Sequence, residues 1–214
     1  MKLKIENDRR EYMHAGLSRR DLEADPIAQF EIWLQAALSA QLRDATAMSL
    51  STVAADGQPS LRTVLLKFYD ASGFVFYTNL ESRKAKEMAH NPKVALLFYW
   101  REFDRQVIIT GNAVKVSAGD SLKYFLTRPR ESRIGAWVSA QSSVISSRSM
   151  LEQKFEEIKR KFSDGEIPLP SFWGGYRVEP ATIEFWQGRV NRLHDRFKYF
   201  RQPDELWRIE RLAP

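Results

Sequence analysis

Two short turns, Asp56-Gly57-Gln58-Pro59 and Asp70-Ala71-Ser72-Gly73, separate three apolar runs in quick succession. The runs are Met48–Ala54, Leu61–Tyr69 and Phe74–Thr78, rich in the β-branched and aromatic residues that suit strands. Connections this short leave no room for a crossover helix, so neighbouring strands must run antiparallel, as a meander. Further strand-like runs follow at Val94–Trp100, Gln106–Val116 (broken at Gly111), Trp173–Val178, Thr182–Trp186, Arg196–Arg201 and Leu206–Leu212. Asp25-Pro26 opens a helix from Ile27 to Leu42, in which Ile27, Phe30, Leu34, Leu38 and Leu42 recur at three- and four-residue spacing. Ser82 is positioned to cap a short helix, Arg83–His90, which Asn91-Pro92 stops. Asp120–Thr127 and Glu131–Val138 flank the Arg128-Pro129 step, and Ser149–Phe162 is an amphipathic helix rich in Glu and Lys. Residues 1–20 read as irregular or weakly helical. Many short strands with helices inserted between them predict a mainly β fold with helices, built as a decorated barrel.

A chain of 214 residues is long enough for one sizeable core. It contains no cysteine, which excludes disulfides, thiolate metal sites and cysteine nucleophiles. No apolar run reaches the length of a bilayer span, and the first ten residues lack the apolar stretch of a secretory signal. These features predict a cytoplasmic protein with no membrane partner. The formal charge of +6, from 33 basic and 27 acidic residues, favours anionic partners. The basic residues are interspersed with acidic ones, a pattern of small phosphate clamps rather than a nucleic-acid groove. The three histidines, His14, His90 and His194, show no metal-ligand spacing, so no metal site is expected.

The richest stretch runs from Trp186 to Arg196, with Arg189, Arg192, Arg196, His194, Asp195 and Trp186 around Gly188. It connects two expected strands, a place where scaffolds present chemistry. Guanidinium groups recognise phosphate or carboxylate, and an imidazole titrates near neutrality. A planar anionic small molecule suits this set. Tyr77 and Thr78 end a strand and lead through Ser82, Arg83 and Lys84 into a helix N-terminus, where free N–H groups and cations favour a phosphate; a plain Ser cap with solvated cations is the bland reading. Tyr124 and Arg128 share a helix face with Ser132 just beyond, and together could wrap a phosphate monoester. Arg62 interrupts an apolar strand, and is either an edge residue reaching water or a ligand group. Five positions along the same expected strand, Lys67 should face the opposite way. Gln106, at a strand start, and Gln141 with Ser142, in a polar loop, have either structural or recognition roles.

Taken in order, these segments resemble the pyridoxamine 5′-phosphate oxidase family. The likeness is carried by Arg9-Arg10-Glu11-Tyr12, Arg62 to Lys67, Phe76 to Leu80 with Ser82-Arg83-Lys84, Arg105-Gln106-Val107, Tyr124 to Arg130, Ile134 to Trp137, Gln141-Ser142, Pro168 to Gly175, Trp186 to Arg196 and Arg208 to Pro214. It spans nearly the whole chain. The resemblance implies a homodimeric split β-barrel that binds FMN at the subunit interface, with a single domain over residues 25–214 and a segment over 1–24 that closes over the substrate.

By motif match, Arg62, Arg83, Lys84 and Ser142 would hold the FMN phosphate. Val64, Leu65, Lys67, Tyr77, Thr78, Gln106, Gln141, Trp186 and Arg196 would contact the rest of the flavin. Lys67, Tyr124, Arg128 and Ser132 would bind the substrate phosphate, with Arg9, Arg10, Glu11 and Tyr12 covering it. Arg192, Leu193 and His194 would sit against the pyridine ring, Arg192 and His194 as catalytic residues. The implied reaction oxidises pyridoxamine 5′-phosphate, or pyridoxine 5′-phosphate, to pyridoxal 5′-phosphate by hydride transfer from C4′ to flavin N5. Dioxygen becomes hydrogen peroxide, and the amine releases ammonia. The composition agrees, since no side chain here can itself accept two electrons. Another split-barrel flavoprotein, such as a flavin reductase or haem-handling relative, would keep the FMN clamp without Tyr124, Arg128, Ser132, Arg192 and His194. A non-catalytic basic module binding nucleic acid would show neither set.

Overall fold

The computed structural model describes residues 16–214, so Arg9, Arg10, Glu11 and Tyr12 lie outside the described residues. The strands are β1 (Ala47–Val53), β2 (Pro59–Leu65), β3 (Phe68–Asp70), β4 (Gly73–Asn79), β5 (Lys93–Trp100), β6 (Arg105–Lys115), β7 (Trp173–Gln187), β8 (Asp195–Arg201) and β9 (Trp207–Leu212). The α-helices are α1 (Pro26–Ser39), α2 (Arg83–His90), α3 (Ala118–Thr127), α4 (Arg130–Val138) and α5 (Arg148–Lys161). One sheet runs in the order β2-β1-β5-β6-β7-β4-β3, with β8 paired to β7 and β9 to β8. The mainly β expectation holds.

Several expected boundaries move, each for a local reason. The run Leu61–Tyr69 is two strands, because the chain leaves β1 and joins β4. Leu66 turns its side chain into the core, and the Lys67 N–H bonds to the Val75 carbonyl at 2.9 Å. Arg62 and Lys67 therefore do not alternate along one strand. The expected meander is also broken, since β2 ends one side of the strand order and the β3–β4 hairpin ends the other. Gly111 does not interrupt β6. The two runs Trp173–Val178 and Thr182–Trp186 form one strand, β7. Its first half pairs with β4 over residues 173–178 and its second with β8 over 182–187, leaving Pro180 between these two paired stretches. Helix α1 stops at Ser39 rather than Leu42. Gln41 takes a left-handed φ of 53°, and the N–H groups of Gln41 and Leu42 close back on Leu38 and Ala37, a Schellman ending.

The chain folds as two compact units. The first gathers the chain up to Ser49 with Ala95–Thr110 and Pro180–Pro214. Asp25 caps α1 by accepting from the Ile27 N–H at 2.9 Å, and the helix buries Phe30, Trp33, Leu34 and Ala37. Phe30 meets Phe98 at 5.0 Å, Trp33 meets the edge of Phe185 at 5.2 Å, and Phe185 meets Tyr199 at 5.5 Å. Such offset and edge contacts are the favoured aromatic geometries. The second unit, Leu50–Val94 with Gly111–Glu179, buries Phe125, Ile134, Val138, Ile158, Ile167 and Trp173 beneath α3, α4 and α5.

Candidate active site

The second unit contains a cavity of about 500 Å³, within the range of small-molecule sites. One wall is β2 and the start of α2. Arg62 Nη1 donates to the Leu50 carbonyl at 3.1 Å and to Thr52 Oγ1 at 2.5 Å, while Nη2 donates to Ser60 Oγ at 2.5 Å. Behind it lies Glu87, which is 6% exposed. Its Oε2 accepts from Thr52 at 2.5 Å and Ser60 at 2.6 Å and lies 3.4 Å from Arg62 Nη2, and its Oε1 accepts from Arg83 Nε at 2.7 Å. Burial alone would raise the Glu87 carboxyl, but the Ser60 and Thr52 hydroxyls and Arg83 outweigh it and hold the pKa at about 2.

Lys84, 9% exposed, donates to Thr78 Oγ1 at 3.1 Å, Ser82 Oγ at 3.4 Å and Gln141 Oε1 at 2.5 Å. Ser82 occupies the cap position without a capping bond of its own. Burial and the nearby Arg62 charge lower the Lys84 pKa to about 8, partly offset by Glu87. The Arg83 N–H donates to Ser142 Oγ at 3.3 Å, and Ser142 holds a left-handed φ of 73°.

The opposite chemistry lines other parts of the cavity. Tyr77 and Tyr124 stack at 4.1 Å, and Trp173 stacks on Tyr77 at 5.3 Å. Arg128 lies over the Trp173 ring at 4.8 Å. Its Nη1 is buried with no hydrogen-bond partner among the described residues. The pairing of β4 with β7 sets Tyr77 opposite Gly175. A Cβ on Gly175 would stand 2.7 Å from the Tyr77 ring, so only glycine lets that ring lie down on the strand. Lys67, Val64, Leu65, Thr78, Ser132 and Gln141 complete the expected lining.

Gln106, Trp186, Arg192, Leu193, His194 and Arg196 belong to the first unit and are not among the residues lining this cavity. There Trp186 pairs with Arg196 across β7 and β8, and its ring lies 4.6 Å from that of His194. The Arg189 N–H donates to His194 Nδ1 at 3.1 Å, which puts the neutral ring's proton on Nε2. Burial and then the Arg192 charge lower the His194 pKa, against Asp195. Asn191 and Arg192 are both left-handed, at φ 56° and 60°, in the turn that presents them. Arg196 Nε donates to Glu184 Oε1 at 2.7 Å.

Of the expected residues, the cavity thus brings together Arg62, Val64, Leu65, Lys67, Tyr77, Thr78, Lys84, Tyr124, Arg128, Ser132 and Gln141. Arg83 and Ser142 adjoin it through the α2 start. Sequence reasoning assigned no role to Trp173 or Glu87. Trp173 was visible only as an aromatic beside Gly174-Gly175. Glu87 was visible only as an i,i+4 partner of Arg83, a pattern normally solvent-exposed. No cluster of three His, Asp or Glu side chains that could hold a metal occurs among the described residues. No helix there is long and apolar enough to cross a membrane.

Residues 34–162 match the family model described as pyridoxamine 5′-phosphate oxidase. Residues 173–214 match the pyridoxine 5′-phosphate oxidase C-terminal dimerisation region. The pyridoxine/pyridoxamine 5′-phosphate oxidase of Rippkaea orientalis is 61% identical over 206 residues, covering 96% of this chain and 97% of its own. That of Hahella chejuensis is 60% identical over 213 residues, covering 99% and 100%. Among solved structures, PhzG of Burkholderia lata, in complex with tetrahydrophenazine-1-carboxylic acid, superposes with a TM-score of 0.86 at 31% identity, covering 91% of this chain and 95% of that one. The fold is the split barrel that the motifs implied, and the chain belongs to the pyridoxamine 5′-phosphate oxidase family.

Proposed function

We propose that this chain is an FMN-dependent oxidase that converts pyridoxamine 5′-phosphate, and pyridoxine 5′-phosphate, to pyridoxal 5′-phosphate. The observation that carries the reading is a single cavity lined by two independently supported sets of anion-binding groups. Arg62 and Lys84 rest on Glu87, Thr78 and Gln141; Arg128 and Tyr124 rest on Trp173 and Tyr77, and Ser132 lines the same cavity. A cofactor and a substrate that each carry a phosphate need two such sets. The residues fit FMN: among the described residues, Lys84 is buried among hydroxyl and amide oxygens with no carboxylate bonded to it, and Arg128 keeps one buried N–H group unspent. Both are costs that a bound anion removes.

In this reading Arg62, Arg83, Lys84 and Ser142 hold the FMN phosphate, and Val64, Leu65, Tyr77, Thr78, Gln106, Gln141, Trp186 and Arg196 contact the rest of the cofactor. FMN, when bound, supplies the two-electron acceptor that the side chains lack. Lys67, Tyr124, Arg128 and Ser132 bind the substrate phosphate and fix its distance from the reacting carbon. Arg192 and His194 orient the pyridine ring, with His194 donating through Nε2. The balance is amine, dioxygen and water to aldehyde, ammonia and hydrogen peroxide; the alcohol needs no water and releases no ammonia. A homodimer, each site drawing on both chains, and a cytoplasmic location complete the reading. It is tested by anaerobic addition of pyridoxamine 5′-phosphate to the purified protein. Flavin absorbance should bleach and return with air as the aldehyde appears. Flavin that stays oxidised overturns the oxidase, and protein that takes up no FMN overturns the cofactor.

A further inference from the structure

Among the described residues, Glu87 is the acid paired with both Arg62 and Arg83 at this wall, and it is buried. Burying a carboxylate is costly unless it is paired and fully hydrogen-bonded. Here both oxygens are used, and the partners are not scattered. Thr52 and Ser60 bond to Glu87 and also to Arg62, so the acid and the guanidinium share two hydroxyls as well as their own 3.4 Å contact. On its other oxygen Glu87 draws the Arg83 side chain along the first turn of α2. The carboxylate thus fixes two arginines from different elements. Neither arginine needs an anion in order to stay in place.

We propose that Glu87 is the positioning residue of the phosphate clamp, holding Arg62 and Arg83 so that the wall receives a dianionic phosphate monoester. This rests on the reading of the wall as the cofactor-phosphate end of the site. Three cations and one carboxylate leave a net charge of +2, which matches the −2 of such a monoester above its second pKa of about 6. Two effects oppose each other when Glu87 is neutralised. Removing a negative charge strengthens the wall's attraction for any anion, while releasing Arg62 and Arg83 makes them pay ordering entropy on binding. The sign of the change in affinity decides which role Glu87 has.

The test uses full-length protein freed of flavin and titrated with FMN and with riboflavin, which lacks the phosphate, followed by flavin fluorescence at pH 7. E87Q should weaken FMN binding roughly tenfold to a hundredfold, the value of hydrogen bonds to charged groups, and leave riboflavin binding unchanged. FMN bound as tightly or more tightly by E87Q would make the acid a mere counter-charge and overturn the proposal. Equal losses of both flavins would overturn it too, as a general structural defect. S60A keeps every charge and removes one shared hydroxyl, so it decides the matter if E87Q does not fold. It should weaken FMN about threefold with riboflavin unaffected, the scale of one hydrogen bond, and unchanged FMN affinity would refute the role. A parent protein that binds riboflavin as tightly as FMN would instead fail the phosphate reading itself.

Discussion

Lys84 lies near Arg62 from β2 and Glu87 from its own helix, and among the described residues only neutral Thr78, Ser82 and Gln141 are in hydrogen-bond contact with it. Burial and the Arg62 charge favour its neutral form, so without an anion it loses its proton near pH 8. A dianion beside it favours the ammonium form. On the proposed reading the sign follows: FMN affinity is full between about pH 6, where the phosphate becomes a dianion, and pH 8, and falls as pH rises further, at up to tenfold per pH unit for one coupled proton. Titrations of FMN at pH 7, 8 and 9 check this, and a flat profile would show that Lys84 does not engage the ligand. At this scale the sequence was readable where chemistry was concentrated locally, as in Ser82-Arg83-Lys84 or Tyr124 with Arg128. It was silent on Glu87, because its partners Thr52, Ser60 and Arg62 lie far back in the chain and its burial comes from tertiary packing. Trp173 was hidden in the same way, since an aromatic in a strand is usually core.

Among the elements, the β4–β7 pair does the most to build the cavity. Placing Tyr77 opposite Gly175 lays the ring flat, and the stack continues to Tyr124 and Trp173. A methyl group at Gly175 would meet both the Tyr77 ring and Val116 at under 3 Å. Gly175→Ala should therefore cost about 1–3 kcal/mol of stability, as overpacking does, and raise the KM for pyridoxamine 5′-phosphate by displacing Tyr124. Urea unfolding with steady-state kinetics checks both, and a variant of parental stability would mean that the ring has room to move. Element types were legible from apolar periodicity and from caps such as Asp25. Boundaries were less so. Pro180 reads as a strand terminator, yet it falls between the stretches of β7 that pair with β4 and with β8, where its missing N–H costs those ladders nothing. Apolarity through Leu66 hid the point where β2 gives way to β3, because a buried bend is as apolar as a strand.

For the molecule as a whole, strand order was the least legible feature. Sequential strands are neighbours often enough to make a meander the natural expectation. The actual order instead places four strands between β2 and β4, a choice made by long-range packing. The match of residues 173–214 to a dimerisation region supports a homodimer. If each site needs two chains, activity per chain should fall on dilution in step with the loss of dimer. Sedimentation and turnover measured over the same concentrations check this, and full activity from a monomer would place the whole site within one chain.

The Arg62–Glu87 network also has a bearing on time. Its arginines are paired with Glu87 without a ligand, so on the proposed reading capture of the cofactor needs no ordering of these side chains and is aided by the wall's positive charge. Differences between variants that keep the wall's charge, such as S60A, should then appear in how long the cofactor stays rather than in how quickly it comes. On the proposed reading, the longer the wall holds the flavin, the better the protein outlasts dilution and transient shortage of the vitamin without unloading.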